Sequence, residues 1–542
     1  MCAFLCCYAE PKLGLDMLFG EERTLGNSTS GSFERKSDMG ALASSASHGC
    51  SGPSASMKEV RQPMAGMVSG SPAASLPVSS FGGAAAEDDG VSAMTTKILG
   101  MVDAQQDASL VRIHRTQDDD LNSFSILHRV PMESKVELVA NASRVNALNR
   151  AMGSMCGMAI GDSLGHNFEF QPAQDWPPSS SAPHFDLKTM RFHGESNAFY
   201  LRRGQWTDDA SMGLCMADSL ILKRHFDGSD MRVRFWCWWH RGYNNAFRKD
   251  SSRSASVGLG GNIAKSLNAI SSCRGAPPAS FDSPTEDAGN GSLMRFTPVA
   301  LMLHAASPAE LLETSRMSSY TTHPGIIAAE ACSLLAFLIA KAVNLPEGPV
   351  NAKAFLDEGT AEYLEVSGLS KKSGWGYDQM KWLVTSKPVN KTETCWNWKS
   401  EHLDIAGTLR ARGSRYNGYP VSAGYFGSYS LDGLALALWS VYHTTSFDEA
   451  VERSINLLGD ADSHGSITGQ LAGALYGYTS INGQFLEWLT AWDDNDFAVR
   501  AVLLHHLGSA KASPSSPPSS YSRAQVSSPY ARGAPRSGHS VD

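Results

Sequence analysis

The sequence predicts an all-α protein in which ten or more helices form one compact bundle. Three observations lead to this prediction: most apolar residues after about residue 137 recur at helical spacing, no strand-like runs alternate with these segments as in a βαβ repeat, and two segments carry glycine at every fourth position. The globular part, about 95–507 of 542 residues, is long enough to bury a large core. The segments with helical spacing are 210–225, 231–243, 258–270, 293–304, 328–342, 431–443 and 447–458.

The two ends of the chain are predicted to be disordered. Residues 1–94 are rich in Ser, Gly and Ala, residues 509–542 are rich in Ser and Pro, and both are nearly free of periodic apolar residues. Two strand-like runs, SLVRIHRT and SFSILHRV, predict a small extension at 95–136. The helical domain is then expected at 137–508, with an irregular insertion at about 346–420 where tryptophans are frequent and long helical periods are few.

Composition argues against several function classes. The net charge of −8 is modest, and no block of Lys and Arg alternates with aromatic residues, so nucleic-acid binding has little support. The most apolar stretch, ACSLLAFLIAKAV at 331–343, is too short to span a bilayer and predicts a buried helix, so no transmembrane segment is expected. Ten cysteines without metal-ligand or CxxC spacing, and an N-terminus unlike a secretory signal, predict a reducing compartment: the cytoplasm, with the nucleus as the alternative.

Two glycine-rich segments predict a close helix–helix contact. GSMCGMAIGDSLG at 153–165 and ITGQLAGALYG at 467–477 both place glycine four residues apart. Glycine inside a helix costs about 1 kcal/mol relative to alanine, so a regular row of glycines requires a compensating gain. Neither segment is long or apolar enough for a transmembrane dimer motif. We therefore expect the two helices to pack against each other in one core.

The stretch WTDDASMGL at 206–214 places two adjacent acids at the start of an apolar helix. Thr207 suits the N-cap position, and Asp208 and Asp209 would then lie in the first turn, where the helix dipole favours negative charge. Taken alone, this pattern is more often a helix cap than a metal site.

A second acidic helix start changes that balance. In LLGDADSHGSITGQLAG at 457–473, Asp460, Asp462 and Ser463 repeat the combination of two carboxylates and one hydroxyl just before the second glycine-rich helix. If the two starts meet, four carboxylates converge and require cations, and oxygen-only ligands suit Mg²⁺ or Mn²⁺. Glu169, in GDSLGHNFEF, is a candidate fifth carboxylate. Two such ions can bridge a water and lower its pKa.

A third cluster is GNGSLMR at 289–295. Gly289, Asn290 and Gly291 form a permissive backbone whose N–H groups can hold an anion, although a single Gly-Asn-Gly is more often a plain turn. His323 and the aromatic residues of GYFGSYS, at 424–430, are candidates for lining a nucleotide pocket. Each of them, taken alone, is more often structural.

Together these segments resemble the ADP-ribosylglycohydrolase family, which includes the dinitrogenase-reductase-activating glycohydrolase. The resemblance covers about 140–490 and rests on five motifs in this order: GMAIGDSLG with a following EF, GQWTDDASMGL, GNGSLMR, TTHP and GDADSHGSITGQLAGALYG. It implies an all-α orthogonal multi-helix bundle with a binuclear centre that binds two Mg²⁺ ions, with Mn²⁺ as the alternative. The reaction implied is hydrolysis at ribose C1″, which releases ADP-ribose from a modified protein side chain or a small ADP-ribose conjugate. We expect the chain to be a monomer.

The resemblance also assigns roles to individual residues. Metal-ligand positions are Thr207, Asp208, Asp209, Asp460, Asp462 and Ser463; catalytic positions are Glu169, Asp208, Asp209 and Asp462; and ADP-ribose-binding positions are Gly289, Asn290, Gly291, Ser292 and His323. Two positions depart from the family pattern. Ser463 stands where threonine is usual, and 255–258 (Ala-Ser-Val-Gly) replaces a Phe-Asp-Ile-Gly segment whose acid assists catalysis on arginine adducts. The sequence therefore does not predict which linkage is cut.

Two other functions are consistent with the same motifs. One is a catalytically inactive relative that binds ADP-ribose or is structural, as the lens crystallins of this family are. The other is hydrolysis of a different phosphate-bearing substrate at the same centre, although the chain has no P-loop or phosphatase motif. The four intact acids at 208, 209, 460 and 462 favour the enzyme, because an inactive protein has little reason to keep mutually repelling carboxylates.

Overall fold

Helices account for nearly all regular structure in the computed structural model, which describes residues 82–104, 125–271, 273, 275–416, 419–421 and 424–512. The predicted all-α class is confirmed. The helices are α1 (Gly82–Ala104), α2 (Met132–Ala142), α3 (Asn146–Gly165), α4 (Asp208–Lys223), α5 (Gly228–Arg241), α6 (Gly261–Ile270), α7 (Thr297–Met302), α8 (Pro308–Ser319), α9 (Ile326–Val343), α10 (Ala352–Val366), α11 (Trp375–Val384), α12 (Ile405–Arg412), α13 (Ser430–Tyr442), α14 (Phe447–Ile455), α15 (Ala461–Tyr476), α16 (Gly483–Asp493) and α17 (Asp496–Ala512). Two short antiparallel hairpins pair β1 (His184–Asp186) with β2 (Arg191–His193) and β3 (Arg415–Tyr416) with β4 (Tyr419–Pro420).

The two glycine-rich helices, α3 and α15, pack antiparallel at the centre of the fold, as predicted. Each α3 glycine faces a main-chain oxygen of α15 so closely that a Cβ atom would collide with it. The opposed pairs are Gly153 with Gly473, Gly157 with Gly469, Gly161 with Gly465, and Gly165 with Ala461. The row on α15 is therefore one turn earlier than the predicted one. Gly477 does not belong to this row, because it follows the end of α15 with a φ of +87° and lies against Asn149.

Helix α9 confirms the predicted buried apolar helix. Within the described residues it is the one helix long and apolar enough to cross a membrane, but almost all of its side chains are buried inside the protein. It packs against α7, α8, α13 and α15. Its apolar character is explained by these neighbours, which cover it on several sides.

The N-terminal boundary differs from the expectation. Helix α1 crosses residue 94 and packs on α2 and α17, because Val91, Ile98 and Val102 recur at helical spacing and are buried. Residues 125–130, in the second strand-like run, form turns instead of a strand. The first such run, at 109–116, and the segments 1–81 and 513–542 lie outside the described residues.

The insertion at 346–420 is more regular than its sequence indicates, since it contains α10, α11 and α12 joined by short 3₁₀ turns. It packs on α9 and α13. Arg412 forms a buried bidentate ion pair with Asp432 in the first turn of α13, with Nη1–Oδ2 and Nη2–Oδ1 distances of 2.6 and 2.8 Å. The indole nitrogen of Trp396 donates to the same carboxylate at 2.8 Å. These contacts join the insertion to the first turn of α13.

Candidate functional site

The two acidic helix starts meet in the interior, which is the condition on which the predicted metal site depends. The Thr207 hydroxyl, at the start of α4, lies 3.5 Å from Oδ2 of Asp462, in the first turn of α15. The C-terminal half of α3 lies beside both, because its Gly161 and Gly165 allow α15 to approach. The close helix contact therefore brings acids from three distant parts of the sequence together.

Thr207 has the N-cap position that the sequence predicts, but another residue caps the helix. Thr207 occupies the N-cap position of α4, but its side chain makes no capping hydrogen bond. Asp162 of α3 caps α4 instead: its carboxylate accepts from the Thr207 nitrogen at 2.9 Å, from the Thr207 hydroxyl at 2.9 Å and from the Ala210 nitrogen at 3.0 Å. The hydroxyl also lies 3.3 Å from Oδ2 of Asp209, so it faces the acids.

The second start is arranged in the same way. Asp460 occupies the N-cap position of α15 without capping it. The Tyr425 hydroxyl donates to Oδ1 of Asp460 at 2.8 Å, and the Asn290 amide donates to Oδ2 at 2.6 Å. Asp462 accepts from the main-chain nitrogen of Ser463 at 2.9 Å. Asp460 is thus held by Tyr425 and Asn290 from neighbouring elements and does not cap its own helix.

The cluster has the donor set of a site for a hard divalent cation. Glu169, Asp460 and Asp462 each offer a carboxylate oxygen, and these oxygens all lie within 4.8 Å of one another. Among the described residues, Oε2 of Glu169 and Oδ1 of Asp209 are buried with no hydrogen-bond partner. Buried polar atoms are normally paired, so unpartnered carboxylate oxygens at this point fit a bound cation.

Electrostatics leads to the same conclusion. Burial, and then mutual repulsion with neighbouring acids, raises the pKa of Asp460 to about 7 and the pKa values of Glu169, Asp208 and Asp209 well above their usual range. Burial also raises the pKa of Asp462 to about 6. Within the described part of the chain, no Lys or Arg forms an ion pair with any of these acids. Bound cations would supply the missing positive charge.

The segment 255–258, where the family's Asp is absent, borders this cluster. Gly258 has a φ of +90°, and a Cβ atom there would lie 3.0 Å from Cγ of Asp208 and closer still to its Oδ1. Ser256 is buried, and its hydroxyl donates to the main-chain oxygen of Trp238 at 2.6 Å. The segment therefore contributes a close backbone approach to Asp208.

The Gly289–Ser292 loop reaches the cluster through Asn290, which is bonded to Asp460 as described above. His323 packs against the loop, since a Cβ atom on Gly291 would lie 2.8 Å from its Cε1. Burial, and then the nearby Arg295 guanidinium, lowers the pKa of His323 to about 3, so the ring is neutral. The Ser292 hydroxyl is bonded to that of Ser319 at 2.8 Å, and the Asn290 nitrogen donates to the Ser428 oxygen at 2.8 Å.

Three residues have places in this site that the sequence patterns do not predict. Asp162 lies within the first glycine row as one more acid near Glu169, and its capping of α4 depends on how α3 packs. Tyr425 fits a nucleotide pocket by composition, whereas its hydroxyl holds Asp460. Arg295 is buried in the GNGSLMR motif beside His323, and its guanidinium lies 4.4 Å from the centre of the Phe235 ring. The sequence feature that could have singled out Arg295 is a charged residue inside an apolar segment with helical spacing.

Comparison with known proteins gives a consistent result. The family profile described as ADP-ribosylglycohydrolase matches residues 143–511. The chain is 27% identical over 357 residues to ADP-ribosylarginine hydrolase Tri1 of Pseudomonas putida, covering 64% of this chain and 76% of that protein. It is 25% identical to ADP-ribosylhydrolase ARH3 of Danio rerio (65% and 89% covered) and 24% identical to ADP-ribosyl-[dinitrogen reductase] glycohydrolase of Rhodospirillum rubrum (63% and 90% covered).

Proposed function

Because the chain belongs to the ADP-ribosylglycohydrolase family, we propose that it is a divalent-metal-dependent hydrolase that cleaves the glycosidic bond at ribose C1″ and releases ADP-ribose. The substrates are ADP-ribosylated protein side chains or small ADP-ribose conjugates. The observation that carries this proposal is the convergence of five buried carboxylates from three distant segments, none of which forms an ion pair with a Lys or Arg of the described residues. The names of the three relatives given above, each an ADP-ribosyl hydrolase, support the same reaction class.

The residues that would hold the ions all offer oxygen ligands, which favours Mg²⁺ and, as the alternative, Mn²⁺. When bound, two such ions supply positive charge for the ribose hydroxyls and lower the pKa of an attacking water. The residues are Thr207, Asp208, Asp209, Asp460, Asp462 and Ser463, with Glu169 beside them.

The surrounding protein groups orient these acids and exclude bulk water. Asp162 fixes Thr207, while Tyr425 and Asn290 fix the two oxygens of Asp460. The carboxylates stabilise the positive charge that develops on the ribose ring as the glycosidic bond breaks. Oε2 of Glu169 is free to exchange a proton with the attacking water or the leaving group, since it has no partner among the described residues.

The experiment is a release assay on chelator-treated protein to which Mg²⁺ or Mn²⁺ is returned. Arginine-linked, serine-linked and O-acetylated ADP-ribose are the substrates, and Asp208→Asn and Asp462→Asn variants are the controls. We expect release from at least one substrate only with metal, and a loss of at least about 100-fold in each variant. Release from none of the substrates, with tight binding of ADP-ribose retained, would identify the chain as an inactive relative.

A further inference from the structure

Arg295, in the GNGSLMR motif, is a buried cation that forms no ion pair with any described residue. It is 1% exposed, and its guanidinium lies over the Phe235 ring. Nη2 donates to the Thr322 hydroxyl at 2.6 Å, Nη1 contacts Sδ of Met212 at 3.4 Å, and Nε has no partner. A buried charge is costly unless it is paired or hydrogen-bonded, so the short bond to Thr322 is the main polar contact that holds this cation.

The Thr322 hydroxyl joins Arg295 to the ring of His323. Its oxygen lies 2.8 Å from Nδ1 of His323. Burial lowers the pKa of Arg295 to about 10, which leaves the guanidinium protonated at neutral pH. A protonated guanidinium has donors and no acceptor, so the Thr322 oxygen must accept from Nη2. The three side chains therefore form a row with the charge at one end and the imidazole at the other.

This row determines which ring nitrogen of His323 carries the proton. Within the described part of the chain, Nδ1 of His323 is the one acceptor within hydrogen-bonding distance of the Thr322 hydroxyl. A buried hydroxyl proton without an acceptor is costly, so Thr322 donates to Nδ1. The ring is neutral, as described above, and has a single N–H group. Because Nδ1 accepts, the proton of His323 is on Nε2.

Nε2 of His323 faces the Gly289–Ser292 loop. A Cβ atom on Gly291 would lie 3.1 Å from Nε2, and one on Gly289 would lie 3.4 Å from it, so the two glycines leave room for this nitrogen. Nε2 has no hydrogen-bond partner among the residues that the structure describes, although His323 is only 1% exposed. Buried N–H groups are normally paired. An N–H without a partner beside this loop fits an acceptor oxygen of a bound ligand.

We infer that Arg295 is a positioning residue: acting through Thr322, it fixes His323 with its proton on Nε2, so that the ring donates a hydrogen bond to an acceptor oxygen of ADP-ribose. This inference rests on the proposed function, which makes ADP-ribose the ligand. Without Arg295, the Thr322 hydroxyl is free to turn and accept from Nδ1–H. Nε2 would then be an acceptor facing a ligand oxygen, and two acceptors form no hydrogen bond.

The test compares Thr322→Val, which removes the hydroxyl, with Thr322→Ser, which keeps it. NMR of protein with ¹⁵N-labelled histidine rings identifies the protonated nitrogen of His323, whose signals are assigned from a His323→Gln variant. Calorimetry measures the Kd for ADP-ribose. We expect Nε2–H in the wild type and in Thr322→Ser, with equal Kd values. Thr322→Val should show a mixture of both neutral ring forms and a Kd raised about tenfold.

Thr321→Val is the matched control. The Thr321 hydroxyl is also buried and lies 3.4 Å from Nη2 of Arg295, but it donates to the main-chain oxygen of Ser318 and does not contact His323. Its loss should leave the ring form and the Kd unchanged. Arg295→Met should change both in the same direction as Thr322→Val. If the loss of this buried side chain prevents folding, the two Thr322 variants still test the row.

The outcomes separate this inference from the proposed function. A proton on Nδ1 of His323 in the wild type, or equal Kd values for Thr322→Val and Thr321→Val, would overturn the positioning role and leave the proposed function intact. A Kd raised as much in Thr322→Ser as in Thr322→Val would also overturn it, because the hydroxyl would then not be the cause. A wild-type protein that neither binds ADP-ribose nor releases it from any conjugate would overturn both.

Discussion

Thr207 donates two hydrogen bonds to the carboxylate of Asp162, one from its main-chain nitrogen and one from its hydroxyl, both at 2.9 Å. An acid on one helix therefore caps another helix and orients a metal-ligand candidate. We expect Asp162→Ala to lower the free energy of unfolding by about 2–3 kcal/mol, because buried N–H groups lose their acceptor. It should also weaken Mg²⁺ binding at least tenfold, as measured by calorimetry.

Asp227→Ala is the matched control for this prediction. Asp227 caps α5 by accepting from the Asp230 nitrogen at 3.0 Å. Its loss should cost about 1 kcal/mol and leave metal affinity unchanged. If Asp162→Ala behaves in the same way, Asp162 is only a helix cap and does not orient the site.

Replacing glycine by alanine should have opposite effects on stability inside and outside the contact between α3 and α15. Gly161→Ala would place a methyl group onto the main-chain oxygen of Gly465, so we expect a loss of about 3 kcal/mol or more. Gly100→Ala in α1 meets nothing within 4 Å and should stabilise the protein by about 0.5–1 kcal/mol, through helix propensity. Urea unfolding of both variants measures the two effects, and a tolerated Gly161→Ala would contradict the close packing.

The excess of negative charge predicts that Asp209→Asn stabilises the metal-free protein. Burial and repulsion from Asp162, Asp462 and Asp208 raise the pKa of Asp209, so a neutral side chain should increase the free energy of unfolding by about 1 kcal/mol at pH 8. The same variant should lose the stabilisation by Mg²⁺ that the wild type gains, about 2.7 kcal/mol at 100 times the Kd.

Asp282→Asn is the control for that experiment, since Asp282 is exposed. It should change the stability by less than about 0.5 kcal/mol with or without metal. A metal-free Asp209→Asn protein that is less stable than wild type would show that the acids are compensated by the protein itself.

Gly258→Ala should impair the site and leave the fold intact. The added methyl group would collide with the Asp208 carboxylate, and a φ of +90° disfavours any residue with a Cβ atom. We expect an at least tenfold weaker affinity for Mg²⁺ and a matching fall in kcat, with a nearly unchanged circular dichroism spectrum. Gly261→Ala, three residues later with open space around it, should retain metal affinity and rate. Equal behaviour of the two variants would contradict the role of Gly258.

The ion pairs of Asp496 should make the stability of the protein depend on pH. Burial alone raises its pKa, but Arg500, Arg248 and Lys135 together lower it below the ordinary value. A lowered pKa in the folded state stabilises the protein above the unfolded value of about 3.9, and this contribution is lost as the pH falls. Asp496→Asn should cost about 3–5 kcal/mol at pH 7, because it leaves buried cations unpaired.

The difference between wild type and Asp496→Asn should narrow by roughly 0.7 kcal/mol between pH 7 and pH 3.5, since the unfolded wild-type chain takes up a proton there. Urea unfolding at the two pH values measures this change. A constant or widening difference would show that the ion pairs of Asp496 do not lower its pKa.

Local sequence patterns are sufficient to predict the class of fold and to predict that the acids stand at helix starts. Glycine at every fourth residue is informative because such a row destabilises a helix unless a second backbone packs closely against it. The family assignment made from five ordered motifs is confirmed by the profile match. The roles of Thr207, Asp460 and their neighbours as metal ligands stay predictions. What the patterns could not supply is the partner of each side chain: Thr207 fits a cap by local rules, and only the packing of α3 shows that Asp162 takes that role.

The remaining errors have a similar cause. The Ser- and Gly-rich composition up to residue 94 predicts disorder, although the apolar residues of α1 recur at helical spacing. The helices of the insertion are short and interrupted, and their stability comes from packing on α9 and α13, which no local signal reveals.

The antiparallel pairing of α3 with α15 has a consequence for how the chain is made. Roughly 300 residues separate the two helices, so a growing polypeptide exposes the glycine-lined face of α3 long before its counterpart leaves the ribosome. At about 5–20 residues per second this interval lasts about 15–60 s. Throughout translation up to that point the nascent protein has neither a closed core nor a complete set of acids.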